Sequence, residues 1–371
     1  MQATENISKY APAALREAGT RPTPCRILYL TSSHEDYLSD SLLVGFRALF
    51  GSEVVDYPRG EILYRNCPDY ILRQVRGHGF TLYTGLLEDV PVDRYYVSSK
   101  LAKGAYDLVV FSDIWRQFGL FTQWRPFLHP GNTIIVDGMD SPQVYPHAGY
   151  WWRRPYYWGL PRADCGFLYF KREWTEDSRF DLWHRLLPAA LRRKLPHYRG
   201  MRRISFAFPD AKILAGPARK EKLFGRHVVD EEVAAKVPGS VTAYAFSREA
   251  DYYADLQASR FGITTKKSGW DCLRHYEIAA NGCVPCFRDL RSKPDACAPH
   301  GLVHGVNCLD YRNADDLLAQ VAALPEAAYA RLREGALRWV QAKSSTTLAG
   351  EVVAEWEGYR RSLGLNPGEP A

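Results

Sequence analysis

Long apolar runs are missing from this sequence, and their absence limits what the protein can be. No stretch reaches the roughly 18 to 20 uninterrupted apolar residues that a membrane-spanning helix needs. The segment 1–24 is polar and lacks the apolar centre of a secretory signal peptide. We therefore expect a cytoplasmic protein, in which the eight cysteines stay reduced and disulfides play no part.

Several nucleotide-binding and hydrolytic motifs are absent as well. The first predicted strand leads into the residues TSSHEDY instead of G-x-G-x-x-G, so the phosphate-binding turn of a dinucleotide-dependent dehydrogenase is missing. Neither a Walker loop, a nucleophile elbow nor an HExxH motif occurs. Basic residues are mixed with acidic ones and form no long stripe, so we expect no nucleic-acid partner.

The chain does contain enough residues for two globular domains. Its 371 residues exceed the size of one ordinary domain, and 46% hydrophobic with 24% charged residues is a globular composition. The formal net charge of +6 favours anionic ligands, such as nucleotide diphosphates, without choosing among them.

The first half of the sequence alternates strand-like and helix-like segments. Apolar runs predict five strands, at 25–33, 52–57, 80–83, 106–111 and 132–136. Strands separated by helical or loop segments imply βαβ units and a parallel sheet. Because ligands of such sheets bind at the carboxyl ends of the strands, we expect the active-site cleft at that edge.

The second half shows the same α/β pattern. It contains predicted strands at 241–246, 261–265 and 284–287, and predicted helices at 251–259, 271–281, 314–323, 327–341 and 346–363. A short polar loop with the sequence KKSGW joins the strand at 261–265 to the helix at 271–281.

That loop has the features of a diphosphate-binding site. Lys266 and Lys267 bring positive charge, and Gly269 permits close approach of a ligand to the backbone. The free N–H groups of the following helix start, expected at Asp271, form an anion site.

Two residues of the predicted helix extend this site towards the rest of a nucleotide. Arg274 and Glu277 are three positions apart and therefore share one face. The carboxylate of Glu277 can accept hydrogen bonds from two vicinal ribose hydroxyls, and Arg274 can bind a phosphate or the sugar. The alternative is an ordinary intrahelical ion pair, worth about 0.3–0.5 kcal/mol.

These residues also carry a resemblance to a known family. SRFGI (259–263) followed by SGWDCLRHYEIAANGCVPCF (268–287) resembles the donor-binding half of GT-B glycosyltransferases, especially the group-1-like, exostosin-like and CgeB-like families, in which R-x-x-E-x-x-A-x-G-x-x-P follows a glycine-containing loop. VDGMD (136–140) and YFKREW (169–174) resemble the DGxD and FKRE signatures of CgeB-like chains, and SSTTLAG (344–350) resembles the start of their final helix.

The resemblance implies an α/β protein of the GT-B fold, with two Rossmann-like domains whose parallel sheets face across a cleft. Glu277 is expected to hold the nucleotide ribose, and Arg274 matches the family arginine. The phosphate end is expected to be lined by Gly269, Trp270 and Asp271. The implied organisation is a polar tail (1–24), an acceptor domain (25–203), a donor domain (204–345) and a last segment (346–371) whose helix returns to the first domain.

The implied reaction is transfer of a sugar from a nucleotide diphosphate to a hydroxyl acceptor such as a glycan or glycolipid, in polysaccharide or glycoconjugate biosynthesis. We expect neither a metal ion nor a cofactor, because the lysines, the arginine and the helix-start amides can stabilise the departing diphosphate. A non-catalytic nucleotide-sugar-binding protein and a nucleotide-sugar epimerase of the same fold are the alternatives.

An inverting enzyme also needs a general base from the first domain. Its candidates follow the carboxyl ends of predicted strands, and they are His34, Asp36, Asp113 and Asp140. Each of them can equally be a helix cap or a solvated loop residue. The two-glutamate motif of retaining group-4 enzymes is not cleanly present. Asp271 or Trp270 stands near the position where the first glutamate of that motif would be expected. Retention and inversion therefore both stay open.

Two further segments allow more than one interpretation. Cys283 and Cys286 form the sequence CVPC, but no second pair follows at zinc-site spacing, so we expect both to pack as small apolar residues. The segment 182–203 is basic and amphipathic, which suits either contact with an anionic membrane surface or a solvated helix. The aromatic and proline-rich run 142–161 predicts a loop.

Overall fold

Two parallel β-sheets organise the chain in the computed structural model, which describes residues 25–32, 34–74, 82–142, 144, 166–175, 187–192, 200–243 and 245–365. The first sheet has six strands in the order β2-β1-β3-β4-β5-β6. Its strands are β1 (Ile27–Leu30), β2 (Val54–Tyr57), β3 (Leu108–Phe111), β4 (Thr133–Asp137), β5 (Leu168–Lys171) and β6 (Met201–Arg203). Their pairings are parallel.

The strand order of this sheet identifies where a ligand can bind. The order changes direction between β1 and β3. In open α/β sheets, ligands occupy the crevice at the carboxyl ends of the strands beside such a switch point. The loops after β1, β2 and β3 therefore border the expected cleft.

Helices cover both faces of the first sheet, which explains why all residues of β1 and β3 are buried. The helices of this half are α1 (Tyr37–Phe50), α2 (Asp69–Leu72), α3 (Val97–Ala102), α4 (Ile114–Trp124) and α5 (Ala189–Arg192). One apolar cluster joins the sheet to α1 and a second joins it to α4.

The second sheet has four parallel strands in the order β10-β9-β8-β7. These are β7 (Lys222–Phe224), β8 (Ser259–Thr264), β9 (Val284–Arg288) and β10 (Leu309–Tyr311). The helices around them are α6 (Glu231–Lys236), α7 (Glu249–Ala258), α8 (Leu273–Ala280), α9 (Ala314–Ala323) and α10 (Glu326–Gln341). Helix α8 packs against α10, where Tyr276 and Trp339 stack with ring centroids 4.9 Å apart.

The last helix, α11 (Ser345–Ser362), packs against α1 of the first half. Gly45 of α1 allows this close approach, because a Cβ at that position would meet the carbonyl oxygen of Ser345 and the Cβ of Ala349. The indole of Trp356 donates a hydrogen bond of 2.9 Å to the carbonyl of Gly131. Helix α11 is therefore part of the packing of the first sheet, although it follows the second sheet in the chain.

Two of the predicted strands are wrong where the structure describes them. Leu82 and Tyr83, from the strand predicted at 80–83, lie in a turn, and residues 80–81 are outside the described ranges. Val241, from the strand predicted at 241–246, forms only an isolated bridge with His227. In both segments the apolar side chains suggested a strand, but Tyr83 is buried by side-chain packing without joining a sheet.

Four strands were not predicted at all, and they are β5, β6, β7 and β10. Each is only three or four residues long and contains a charged residue. A charged residue in so short a segment removes the apolar pattern on which strand prediction depends.

Parts of three segments named from the sequence lie outside the described residues. These are the tail 1–24, most of the aromatic run 142–161, and residues 182–186 and 193–199 of the basic segment. Among the residues that are described, no helix is both long enough and apolar enough to cross a membrane.

Candidate functional site

The loop from Thr265 to Cys272 connects β8 to α8 at the carboxyl edge of the second sheet, and His275 holds it in place. The Nε2–H of His275 donates to the carbonyl of Trp270 at 3.0 Å, and its Nδ1 accepts from the hydroxyl of Thr264 at 2.7 Å. A carbonyl oxygen can only accept, so this bond determines which ring nitrogen carries the proton. Burial lowers the pKa of His275 to about 3, which keeps the ring neutral.

The two lysines of this loop are exposed to solvent. Lys266 lies over the ring of Trp270, with Nζ 5.1 Å from the ring centroid. Within the described part of the chain, neither Lys266 nor Lys267 forms an ion pair with a carboxylate. Both charges are therefore available to an anionic ligand.

The helix that follows the loop starts later than the sequence predicted. Helix α8 begins at Leu273 instead of Asp271, and Cys272 is its N-cap residue without a side-chain cap. The N–H of Asp271 donates to Oε1 of Glu173 at 3.0 Å. This amide is consequently not available to a phosphate, and the helix start predicted at Asp271 is wrong.

The carboxylate of Asp271 is also fully engaged. Its Oδ2 accepts from the N–H of Phe206 at 2.8 Å, and its Oδ1 accepts from the hydroxyl of Tyr276 at 2.9 Å. Burial raises the pKa of Asp271 to about 6, although the nearby charge of Arg172 opposes this shift. The structure thus places Asp271 in the packing between the two halves and gives it partners other than a ligand.

Gly269 also lies against residues of the first half of the protein. A Cβ added there would meet the carboxylates of Glu173 and Asp140, the latter at 2.9 Å from Oδ1. The glycine is needed because these two side chains approach the backbone of the loop closely.

The DGMD and KREW segments meet at this contact. Lys171 and Asp137 form an ion pair of 2.8 Å in which both side chains are completely buried. The hydroxyl of Tyr169 donates to the other oxygen of Asp137 at 2.6 Å. Two segments that are weak motifs individually therefore form one buried network.

Arg172 extends this network to the loop. Its guanidinium donates to the carbonyls of Gly138 at 2.9 Å and of Asp271 at 3.0 Å, and to Oε1 of Glu173 at 3.0 Å. It also pairs with Asp140. Only 1% of the Arg172 side chain is exposed, so these bonds are made almost entirely away from water. The KREW motif is visible in the sequence, but its contact with the loop of the opposite half is not.

Arg274 and Glu277 lie on α8 as predicted, but they do not pair with each other. No ion pair within 4 Å joins them in the described structure, so the ordinary intrahelical salt bridge is not formed. Nη2 of Arg274 instead lies 3.5 Å from Nε2 of His227, whose Nδ1–H donates to the carbonyl of Ala243 at 3.2 Å. His227 was not a candidate from the sequence because it follows β7, one of the unpredicted strands.

Glu277 lies on α8 within electrostatic reach of the first half. The hydroxyl of Tyr252 is 3.4 Å from its Oε2. Burial raises the pKa of Glu277 to about 7; Arg274 lowers it and Glu249 raises it further. The charge of Glu277 in turn raises the pKa of Tyr83, which belongs to the first half. The ammonium of Lys212, whose charge also lowers the pKa of Glu277, pairs with Glu249 and donates to the carbonyl of Leu82 at 2.6 Å.

Two of the four base candidates are brought together at the switch point. Asp36 caps α1 by accepting from the N–H groups of Leu38 and Ser39, at 3.1 and 2.9 Å. Asp113 pairs with Arg116 at 2.5 Å, and the same guanidinium is 3.9 Å from Asp36. Burial and the charge of Asp113 raise the pKa of Asp36 to about 6.

The other two candidates lie elsewhere. Asp140 is paired with Arg172 in the buried network. His34 is exposed, and its backbone exchanges two hydrogen bonds with the hydroxyl of Ser32. The structure therefore does not gather all four candidates around one point.

A cavity of about 620 Å³ opens beside Asp36 at the carboxyl ends of β1 and β2. Its wall includes Thr31, His34, Glu35, Asp40, Arg59 and Arg116. This is an ordinary size for a small-molecule site. Among the described residues, no group of three His, Cys, Asp or Glu side chains is placed to hold a metal ion. Cys283 and Cys286 are buried in apolar clusters.

The arrangement of the sheets defines a GT-B fold, with two Rossmann-like domains whose parallel sheets face across a cleft. Anabaena Alr3699/HepE in complex with UDP-glucose has this arrangement: the TM-score is 0.50 at 11% identity, over 90% of this chain and 100% of that chain. The complex of the same protein with UDP gives a TM-score of 0.50 at 12% identity, over 90% of this chain and 100% of that chain. At such identities the likeness shows the fold alone, and it confirms the predicted fold class.

A glycosyltransferase from Rickettsia africae gives a TM-score of 0.41 at 10% identity, over 91% of this chain and 98% of that chain, which is too low to support an inference. No protein-family model matches the chain. No curated protein matches it in sequence.

Proposed function

We propose that this protein transfers a glycosyl group from a nucleotide diphosphate sugar to a hydroxyl acceptor, as part of polysaccharide or glycoconjugate biosynthesis in the cytoplasm. The observation that carries the proposal is Glu277, a half-buried carboxylate on α8 whose charge reaches Tyr83 of the first half and which has no cation paired with it in the described structure. Two exposed lysines and Arg274 lie close to it in the chain. The fold shared with a UDP-glucose complex of HepE supports the same function.

Each group of the donor half has a role in this proposal. Glu277 accepts hydrogen bonds from the ribose hydroxyls, and Arg274, held by His227, binds the diphosphate with the geometry that suits a guanidinium. Lys266 and Lys267 add positive charge where the departing diphosphate accumulates negative charge, so the proposal needs no metal ion. Trp270 gives the sugar or base a flat apolar surface.

Donor binding is the direct test. We would titrate UDP, GDP, ADP and dTDP, each free and as its glucose conjugate, into the protein by calorimetry. One nucleotide series should bind, and Glu277→Ala should weaken it about 10- to 100-fold, because hydrogen bonds to a charged group contribute about 1.5–3 kcal/mol.

The matched control is Glu334→Ala, which removes a glutamate from an exposed position of α10. It should leave the affinity unchanged. If no nucleotide binds, or if Glu277→Ala binds as tightly as the wild type, the proposed function is wrong.

Product analysis separates the alternatives. Binding without turnover of any donor favours a non-catalytic nucleotide-sugar-binding protein. Conversion of the donor to an isomeric nucleotide sugar, without an acceptor, favours an epimerase.

A test of membrane contact through the segment 182–203 is sedimentation with vesicles that contain anionic lipid.

A further inference from the structure

The cavity of about 620 Å³ in the first domain contains a carboxylate that sequence analysis did not single out. Asp40 lies one turn after the helix cap Asp36, on the face of α1 that lines this cavity. Helical spacing places it on the same side as the cap and one turn deeper. It is half-buried.

Asp40 differs from its acidic neighbours in having no cation as a partner. Asp113 is neutralised by Arg116, and Asp140 is neutralised by Arg172. In the described part of the chain, no Lys, Arg or His forms an ion pair with Asp40. A hydrogen bond from the backbone of Asp36 stabilises its charge and lowers its pKa.

The cations of the cavity wall are already occupied. Arg59 pairs with Glu61 and lies 3.4 Å from Asp89. Arg116 is engaged by Asp113 at 2.5 Å. Among the described residues of the cavity wall, the uncompensated charge is therefore negative, which disfavours a phosphorylated or carboxylated occupant.

Asp40 also lies near the donor half. Its charge and that of Glu277 both raise the pKa of Tyr83, whose hydroxyl donates to the carbonyl of Ala207 at 2.5 Å. Tyr83 is thus close to a carboxylate from each domain. A molecule in the cavity would contact Asp40, which is one of its lining residues.

We propose that this cavity is the acceptor site, that it takes a neutral polyhydroxylated acceptor such as an uncharged sugar unit, and that Asp40 is the general base. This proposal rests on the proposed function. The acceptor oxygen bonds to the anomeric carbon of the donor while its proton passes to Asp40. The bond from that carbon to the phosphate oxygen breaks, and its electron pair leaves on the nucleoside diphosphate. A single displacement inverts the anomeric carbon.

The electrostatics of Asp40 suit this role. Burial raises the pKa of Asp40 well above its ordinary value, and the charges of Asp36 and Glu35 raise it further. In its ionised form, a carboxylate with a raised pKa is the stronger base.

The test compares donor turnover with donor binding. Wild type and Asp40→Asn are incubated with UDP-glucose, GDP-glucose, ADP-glucose and dTDP-glucose, with water alone and with glucose, galactose and maltose as acceptors. Turnover should fall about 100-fold or more in Asp40→Asn, the usual contribution of a general base. Nucleotide affinity should stay within twofold of wild type, and Asp40→Glu should recover part of the turnover.

The control is Asp315→Asn, the same chemical change at an exposed position in the first turn of α9, which should behave as wild type. NMR of the first product should show the inverted anomer. Full turnover in Asp40→Asn, a retained anomer, or donor binding without any turnover overturns this inference and leaves donor binding intact. Absence of nucleotide binding in the wild type overturns the proposed function itself, and this inference with it.

Discussion

At the residue scale, Glu277 connects the candidate site to stability. Its pKa is raised from 4.5 to about 7, chiefly by burial, so the folded protein binds its proton more tightly than the unfolded chain does. The protonated side chain of Glu277 therefore contributes fully to the free energy of unfolding below pH 4.5. This contribution is lost as the pH rises through 7. A ligand hydroxyl that donates to the ionised carboxylate would offset the cost of its burial.

We expect the variant Glu277→Gln to gain stability relative to wild type as the pH rises. The difference in free energy of unfolding should grow by about 2–3 kcal/mol between pH 4.5 and pH 8, because glutamine has no charge to bury. Urea unfolding at several pH values measures this difference. Glu334→Gln, on the exposed face of α10, should show a constant difference. Parallel stability curves for Glu277→Gln and wild type would contradict the burial of this charge.

Other site residues show which properties the sequence cannot reveal. The loop lysines and Glu277 are identifiable because the KKSGW turn and the spacing along α8 are local patterns. Asp40, His227 and the contact of Glu173 with the Asp271 amide depend on residues distant in the chain. Whether a carboxylate is paired with an arginine or left without a cation is decided by packing, so Asp36 and Asp40 cannot be distinguished from their sequence positions.

At the scale of elements, the contact between α1 and α11 depends on a single glycine. Gly45→Ala would place a methyl group against the carbonyl oxygen of Ser345 and the Cβ of Ala349. Overpacking of this kind costs about 1–3 kcal/mol, which should exceed the gain of about 1 kcal/mol in helix propensity. We expect the variant to be less stable in chemical denaturation.

Gly358→Ala is the opposite case on the same helix pair. A Cβ there has only the guanidinium of Arg361 nearby, at 3.7 Å. The propensity gain should therefore dominate and raise the free energy of unfolding by about 0.5–1 kcal/mol. If both alanines raised the free energy of unfolding, the close approach of α1 and α11 would be wrong.

The elements themselves were partly predictable. Strands β1 and β3 are continuous apolar runs, β4 contains a shorter apolar run, and the last two helices are rich in good helix formers. Strand β5 is buried although it ends in Lys171, because Asp137 on the neighbouring strand neutralises that charge. The partner lies 34 residues earlier in the chain, as their numbers show, so the pattern within β5 contains no sign of it.

At the scale of the whole molecule, Arg172 couples the two domains through one buried guanidinium. Arg172→Met would leave the buried carboxylate of Glu173 without its cation and would remove the bond to the Asp271 carbonyl. Breaking a buried ion pair from one side costs about 3–5 kcal/mol. We expect a loss of that size in urea unfolding.

Arg338→Met provides the comparison, because Arg338 pairs with Glu334 on an exposed face of α10. Exposed pairs contribute about 0–1 kcal/mol, so this variant should be nearly neutral. Equal losses in free energy of unfolding for Arg172→Met and Arg338→Met would mean that the Arg172 network contributes no more to stability than a surface salt bridge.

The return of α11 to the first domain has a consequence for shortened forms of the protein. A stop codon just before Ser344 would leave every described strand of both sheets encoded, yet it would remove the apolar cover of α1 and the indole bond to Gly131. The exposed patch would then belong to the half that is translated first. We infer that such a truncated product aggregates through its amino-terminal half, and that supplying α11 as a separate peptide restores its solubility.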